Sequence, residues 1–266
     1  MRAGGILEPM SWAARRRFII LVIVAIIVAV VAVTAYLLLR PAPSCKDGIQ
    51  NEGEGGIDCG GPCPYLCTAS EEPPTVLFTK AFSNGRGGTN VIASVENKNL
   101  DAAANAVPYR ITLYGVDHSI VQVLTGTLDL PPGATEPVYV PNVATAQPVA
   151  SAFLDIASSS PQWYRLLTDP RIVPTVSAIT LGGTTLAPRI EATLTNPGVT
   201  PLANVRAVVL VHGSDGNVFT ASQTVIQSIA GQGQATATFT WESAFPNGAL
   251  TIEVVPLIPL PPPPLP

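Results

Sequence analysis

From Phe18 to Leu39 the chain is one apolar run, FIILVIVAIIVAVVAVTAYLLL, in which only Thr34 and Tyr36 carry polar side-chain atoms. Arg15, Arg16 and Arg17 precede it and Arg40 follows. At ~1.5 Å per helical residue the run spans roughly 33 Å, about the thickness of a bilayer's hydrocarbon core, so the pattern predicts a transmembrane helix over 18–39. Beyond residue 40 no long helical period appears. Short runs rich in Val, Ile, Thr and Ala alternate instead with Pro and Gly, the mix of short strands joined by turns. In Val107 to Tyr114, for example, Val107, Tyr109, Ile111 and Leu113 fall on one face and Arg110 and Thr112 on the other, the period-two signature of a half-buried strand.

Turn signals follow at Gly115-Val116-Asp117-His118-Ser119 and at Gly213-Ser214-Asp215-Gly216-Asn217, each leading into another apolar strand as in a β-hairpin. Pro131-Pro132-Gly133 and Gly231-Gln232-Gly233 end the next strands. Strands at such spacing predict antiparallel sandwiches, and the exterior chain has room for about two domains.

Two stretches align with each other: IASVENKNLDAAANAVPYRITLYGVDHSIVQ from Ile92 and IEATLTNPGVTPLANVRAVVLVHGSDGNVFT from Ile190. Asn97 matches Asn196, Val107 matches Val205, Ile111 matches Val209, Leu113 matches Val211, Asp117 matches Asp215 and Gly133 matches Gly231. From Val107 to Val205 the offset is 98 and is read as constant from there on, with a one-residue shift in the preceding loop. The expectation is an internal duplication: β-sandwich domain 1 over 74–168 and domain 2 over 169–256, both immunoglobulin-like.

On VENKN, ITLYGVDHSIV and LDLPPGAT the first copy resembles the FxLYD-type and water-stress-type β-sandwich families of bacterial and archaeal envelope proteins. Ile111 stands where Phe is usual and Gly115 where Asp is usual. The resemblance implies a non-enzymatic adhesion, scaffold or ligand-binding module. The second copy keeps the plan with less of the motif, nearer to cell-adhesion-related sandwiches.

All four cysteines, Cys45, Cys59, Cys63 and Cys67, lie just beyond the apolar run with spacing C-x13-C-x3-C-x3-C. An even number clustered in an exported segment reads as two disulfides, with the pairing open; zinc-site spacing is not reproduced. The segment SCKDGIQNEGEGGIDCGGPCPYLC, within 44–67, resembles a short cysteine module of bacterial surface proteins, patterned C-x-D-G-x-x-N-x-x-E-x-x-x-D-C-G-G-x-C-x-x-C, although three residues rather than two precede Cys67. Asp47, Asn51, Glu54 and Asp58 are candidate calcium ligands on a glycine-bearing backbone. The rival reading makes them turn caps, with Gly supplying positive φ and the cystines holding a core too small to hold itself. No other cofactor is expected.

Charge sets the expected topology. The stub over 1–17 carries Arg2, Arg15, Arg16 and Arg17 against Glu8, a net of +3, whereas the residues after Arg40 carry 9 basic against 17 acidic groups, a net of −8. Basic flanks stay in the cytoplasm, so the remainder is expected in the periplasm or outside the cell. The rival readings are a signal peptide cleaved after Val33-Thr34-Ala35 and a lipoprotein cut before Cys45. The continuation Leu37-Leu38-Leu39 argues against the first and the weak match of Ala42-Pro43-Ser44 against the second.

Catalytic signatures are missing: there is no G-x-S-x-G, H-E-x-x-H or P-loop pattern, and the histidines, His118 and His212, sit at hairpins. Asp117 and Asp215 read as turn formers. Trp163, Tyr164 and Trp241 read as core aromatics in preference to a recognition surface. With an acidic balance and no basic-aromatic patch, neither nucleic acid nor a small-molecule substrate is expected. The last segment, PLIPLPPPPLP over 256–266, reads as a stiff polyproline tail; in the alternative it docks on an envelope partner through Leu257, Ile258, Leu260 and Leu265.

The sequence thus predicts a non-enzymatic, single-pass envelope protein held in the lipid bilayer through Phe18 to Leu39 and working with a protein partner. The alternative is an accessory or sensory subunit of a secretion, pilus or transport complex, its anchor packed on partner helices through Ala25, Ala29 and Ala32.

Overall fold

The computed structural model describes residues 12–39, 44–51, 53–85, 87–159, 161–245 and 250–263. Most of the basic stub, Arg40, Glu52 and Leu265 lie outside the described residues. Residues up to Asp47 and from Gly48 onward form two separate units.

The first unit holds α1 (Trp12–Leu39), whose span Arg15–Leu39 is long and apolar enough to cross a membrane. The helix starts six residues before the expected 18, because Trp12, Ala13 and the arginines have ordinary helix propensity and a helix need not stop where its apolar stretch stops. Apolar side chains from Phe18 to Leu39 are exposed all around it, without a polar stripe. Thr34 donates its hydroxyl to the carbonyl of Val30 at 2.8 Å, which satisfies that group within the helix.

The second unit is all β apart from a 3-10 turn at Thr68–Ser70. Its strands are β1 (Thr75–Ser83), β2 (Thr89–Glu96), β3 (Ala102–Tyr114), β4 (Ile120–Leu130), β5 (Thr135–Val143), β6 (Ser151–Asp155), β7 (Tyr164–Arg165), β8 (Thr175–Thr184), β9 (Ala187–Thr195), β10 (Leu202–His212), β11 (Val218–Ile229), β12 (Gln234–Thr240) and β13 (Thr251–Leu257). They form antiparallel sheets in the orders β1-β2-β5, β4-β3-β6 (with β7 also on β3), β12-β9-β8 and β11-β10-β13. The first two enclose a core around Val91, Val95, Ile111, Leu113, Leu130 and Trp163. The last two enclose a second core around Ile190, Leu194, Val209, Val211, Ile229 and Phe239. Each pair is a β-sandwich, and Val107, Tyr109, Ile111 and Leu113 all face the first core as the alternation predicts.

A third apolar cluster joins the sandwiches. Ile92 on β2 packs with Val208 and Leu210 on β10 and Val218 and Ala221 on β11, edged by Phe78, Phe82, Tyr139, Val255 and Leu257. The outer face of β1-β2-β5 therefore lies against the outer face of β11-β10-β13, and Lys80 reaches across to donate to the carbonyl of Val218 at 2.9 Å. Strands β2 and β10 are buried on both faces, which explains why they read as the near-continuous runs Val91–Val95 and Ala207–Val211.

The register keeps the Asn97–Asn196 match in the first strands and departs from the sequence alignment by one residue further on. In β2, Val91, Ala93 and Val95 face the core; in β9, Ile190, Ala192 and Leu194 do. Ile92 thus corresponds to Glu191, 99 residues on, as the Asn97–Asn196 match requires, so the 98-residue offset does not hold here. Glu191 meets Arg189 at 3.4 Å, both part-exposed, whereas Ile92 is fully buried at the seam. The 98-residue offset also fails after β4: β3 bulges between Ala104 and Val107 against β4, while β10 pairs with β11 there without a register shift. Gly133 consequently corresponds to Gln232, both with positive φ, and not to Gly231.

Candidate functional site

The cysteine module folds by local turns. In the first unit, Asp47 accepts the Ser44 amide at 3.3 Å. In the second, Glu54 is nearly buried, and its Oε2 accepts the amides of Asn51 and Asp58 at 3.3 Å each. Both carboxylate oxygens of Asp58 accept the Gly48 amide at 3.1 Å. These oxygens lie on backbone amides, the geometry of turn caps. Glu54 Oε1 lies 3.1 Å from Cys63 Sγ, a packing contact because an oxidised sulfur has no proton to donate. All four cysteines are disulfide-bonded, and Cys59 pairs with Cys67. A Cβ on Gly56 would lie 2.9 Å from Cys59 Sγ and 3.0 Å from Cys67 Sγ, so the backbone can close over this bridge only at a glycine.

From Gly48 onward the module also sits on the first sandwich: Leu66 donates its amide to Trp163 O at 2.8 Å and packs against the core, and Tyr65 bridges to Tyr164. It is a docked piece of the β unit. Trp163 and Tyr164 are fully buried, and Trp241 is part-buried with its indole N–H on Thr220 Oγ1 at 3.0 Å. Trp163 and Tyr164 pack in the interior, whereas Trp241 also borders an open cleft.

The hairpin residues behave alike in the two sandwiches. Asp117 Oδ1 accepts the Ser119 amide at 3.1 Å and its hydroxyl at 2.7 Å, and these bonds hold its carboxyl below the usual range. Asp215 accepts the Asn217 amide at 3.0 Å and side-chain amide at 2.8 Å, with the same effect. His118 takes the left-handed position, φ 62°, that Gly216 takes at φ 76° in the other hairpin. His212 instead ends β10, with Nδ1 3.1 Å from Gly216 O and Nε2 3.5 Å from Glu253.

The densest group of charges outside these turns lies where the sandwiches meet, beside a cavity of about 230 Å³ lined by Tyr109, Asp129, Glu136, Arg171, Arg206 and Ile258 among others. Arg171, on the connector between the sandwiches, grips Asp169 at 2.8–3.0 Å, donates to the carbonyl of Ile258 at 2.8 Å and stands 3.8 Å from Glu136. Burial works against the Asp169 charge, but the hydrogen bonds from Arg171 outweigh it and leave that carboxyl below its ordinary value. For Glu136 burial prevails over Arg171 and pushes the carboxyl up to about 7. A wider cleft of about 540 Å³ opens along the seam between Tyr139, Trp241, Asn90, Asn142, Thr220 and Gln223. The sequence reading missed this charged joint: Arg171 and Glu136 fall in unremarkable contexts, and only folding brings them together.

The C-terminal segment is not extended away from the body. Leu257 packs in the seam, Ile258 against the second core, and Leu260 is buried with Ala103 and Tyr164 on the first sandwich. Of the residues assigned to an outside partner, Leu257, Ile258 and Leu260 meet the chain itself, and Leu265 lies outside the described residues.

No family model matches this chain, and no curated protein does. Among solved structures, the crystal structure of red sea bream transglutaminase matches at a TM-score of 0.24 and 16% identity, over 69% of this chain and 28% of that one. At that score the likeness carries no argument about activity. The class is defined by the chain's own architecture: a β-sandwich protein with disulfides and one N-terminal apolar helix suited to a membrane anchor or a signal.

Proposed function

We propose that this is a single-pass membrane protein with its N-terminus in the cytoplasm, carrying a rigid pair of duplicated, immunoglobulin-like sandwiches outside as a non-catalytic scaffold or binding component of the cell envelope. The observation that carries the reading is α1, whose apolar side chains are exposed along the whole span from Phe18 to Leu39 and so require lipid. Disulfides throughout the cysteine module suit an oxidising compartment, and the net +3 of the stub suits retention inside. The same order of three strands in corresponding sheets supports descent of the two sandwiches from one duplicated unit.

Rigidity suits a spacer or platform better than a catalyst with moving parts, since a buried apolar seam joins the sandwiches. Crosslinking in native membranes followed by purification tests the role: recovery of a cell-surface ligand on the sandwiches supports a binding component. A stoichiometric partner crosslinked through α1 would move the assignment to a subunit of a membrane complex.

A further inference from the structure

The tail crosses from one sandwich to the other on a site built to hold it. Leu260 fills a pocket of Ala103 and Tyr164, edged by Tyr65 and Leu166. Its amide donates to Asp129 Oδ2 at 2.9 Å. Asn105 Nδ2 donates to the carbonyls of Leu260 and Pro261, at 3.4 and 3.0 Å, while Asn105 Oδ1 accepts the Tyr164 hydroxyl. Both main-chain polarities of one leucine are read, and its side chain is buried between aromatics. Prolines at 259 and 261 hold the segment extended and lower the entropy lost on docking.

The bulge between Ala104 and Val107 makes the site. It places Ala106 at φ 48°, and the Ala106 amide donates to Asp129 Oδ1 at 2.9 Å, orienting that carboxylate toward the tail. At the matching place on β10, Asn204 has a similar left-handed φ of 52°, but the pairing carries no register shift and alanine (Ala203) stands where Asn105 does. The site is therefore a feature of the first sandwich and not a by-product of the shared plan.

We infer that this trough is a recognition site for an extended peptide with a proline-flanked leucine, and that the chain's own segment 258–261 is its occupant, acting as a latch that closes the second sandwich onto the first. An added peptide of the same kind gains entry only where the latch is open.

The test uses the full-length protein in detergent and a fluorescent peptide of sequence PLIPLPPP. Wild type gives no saturable binding, because its site is filled. Leu260→Asp, which expels the latch, binds the peptide saturably, and adding Asn105→Ala to it weakens binding at least tenfold. A Leu260→Asp protein that retains its sheet signal and does not bind, or wild type that binds equally well, overturns the inference. Should Leu260→Asp fail to fold, hydrogen exchange on wild type and Asn105→Ala decides: the Leu260 amide is protected in wild type and exchanges at least tenfold faster in the variant, and equal rates overturn it.

Discussion

Asn97 and Asn196 close equivalent strand ends with the same hydrogen-bond set. Asn97 Nδ2 donates to the carbonyls of Ala102, Leu130 and Pro131 at 2.8, 3.4 and 2.8 Å, and its Oδ1 accepts the Asn99 amide at 3.0 Å. Asn196 Nδ2 donates to Thr200, Ile229 and Ala230 at 2.8, 3.3 and 3.1 Å, and its Oδ1 accepts the Gly198 amide at 2.9 Å. Each side chain ties the exit of one strand to a turn across the sandwich, and each residue is essentially inaccessible to water.

Replacing either asparagine by alanine strands several buried carbonyls and one amide. Each substitution is expected to cost about 2–4 kcal/mol, since unmet buried polar groups cost roughly 1–3 kcal/mol apiece with partial relaxation. Asn→Asp should be no milder, because a carboxylate cannot donate to the carbonyls. Urea denaturation measures both; a loss below about 1 kcal/mol would mean that water replaces the side chain.

The seam between the sandwiches is expected to behave as a core. Ile92→Ala should cost about 2–4 kcal/mol, the range for emptying a buried isoleucine, and Val208→Asp should loosen the pair and raise the radius of gyration in X-ray scattering. A change in Ile92→Ala no larger than that of an exposed site would place the sandwiches apart in solution.

Glu136 makes stability depend on pH in a definite direction. Its folded-state pKa of about 7 lies above the ordinary 4.5, so the folded form holds the proton more tightly. Stability is therefore highest below pH 4.5 as far as this group is concerned, and falls as pH rises to about 7. The full effect is roughly 3 kcal/mol at 1.36 kcal/mol per pKa unit. Arg171, Asp169, Asp129 and Arg206 are the charges around it, and Glu136→Gln should remove this part of the slope. Denaturation of both proteins at pH 5 and pH 8 checks this; parallel slopes would contradict it.

Glu54 Oε2 and both Asp58 oxygens face backbone amides, and Glu54 Oε1 faces a disulfide sulfur, so a chelator is expected to leave the thermal midpoint unchanged to within about 1 °C. A bound cation would contribute several kcal/mol by mass action. A large drop in midpoint would reassign these carboxylates to calcium. Alkylation of the denatured, unreduced protein should modify none of the four cysteines.

The β-sandwich class was legible in the sequence because alternation in Val107–Tyr114 and the paired Asp-bearing hairpins are local signals. The seam was legible in principle, since VIASV and AVVLV are apolar without alternation, the mark of strands covered on both faces, yet period-two reasoning passes over them. The register at Ile92 follows from the Asn97–Asn196 match, which sets it against Glu191; that Ile92 meets the second sandwich shows only in the fold. The charged joint and the latch site depend on residues far apart in the chain, such as Asn105 with Pro261 and Arg171 with Glu136, and no local pattern marks them. Proline in the tail suggests stiffness, but it cannot say that Leu260 returns to Tyr164.

The account rests on α1 remaining in the lipid with the β unit exported, and protease added to intact spheroplasts tests this most directly. The β unit should be cut from the membrane or released while a cytoplasmic marker stays whole, and permeabilisation should add little. Full protection of the β unit until the membrane is opened would contradict the account.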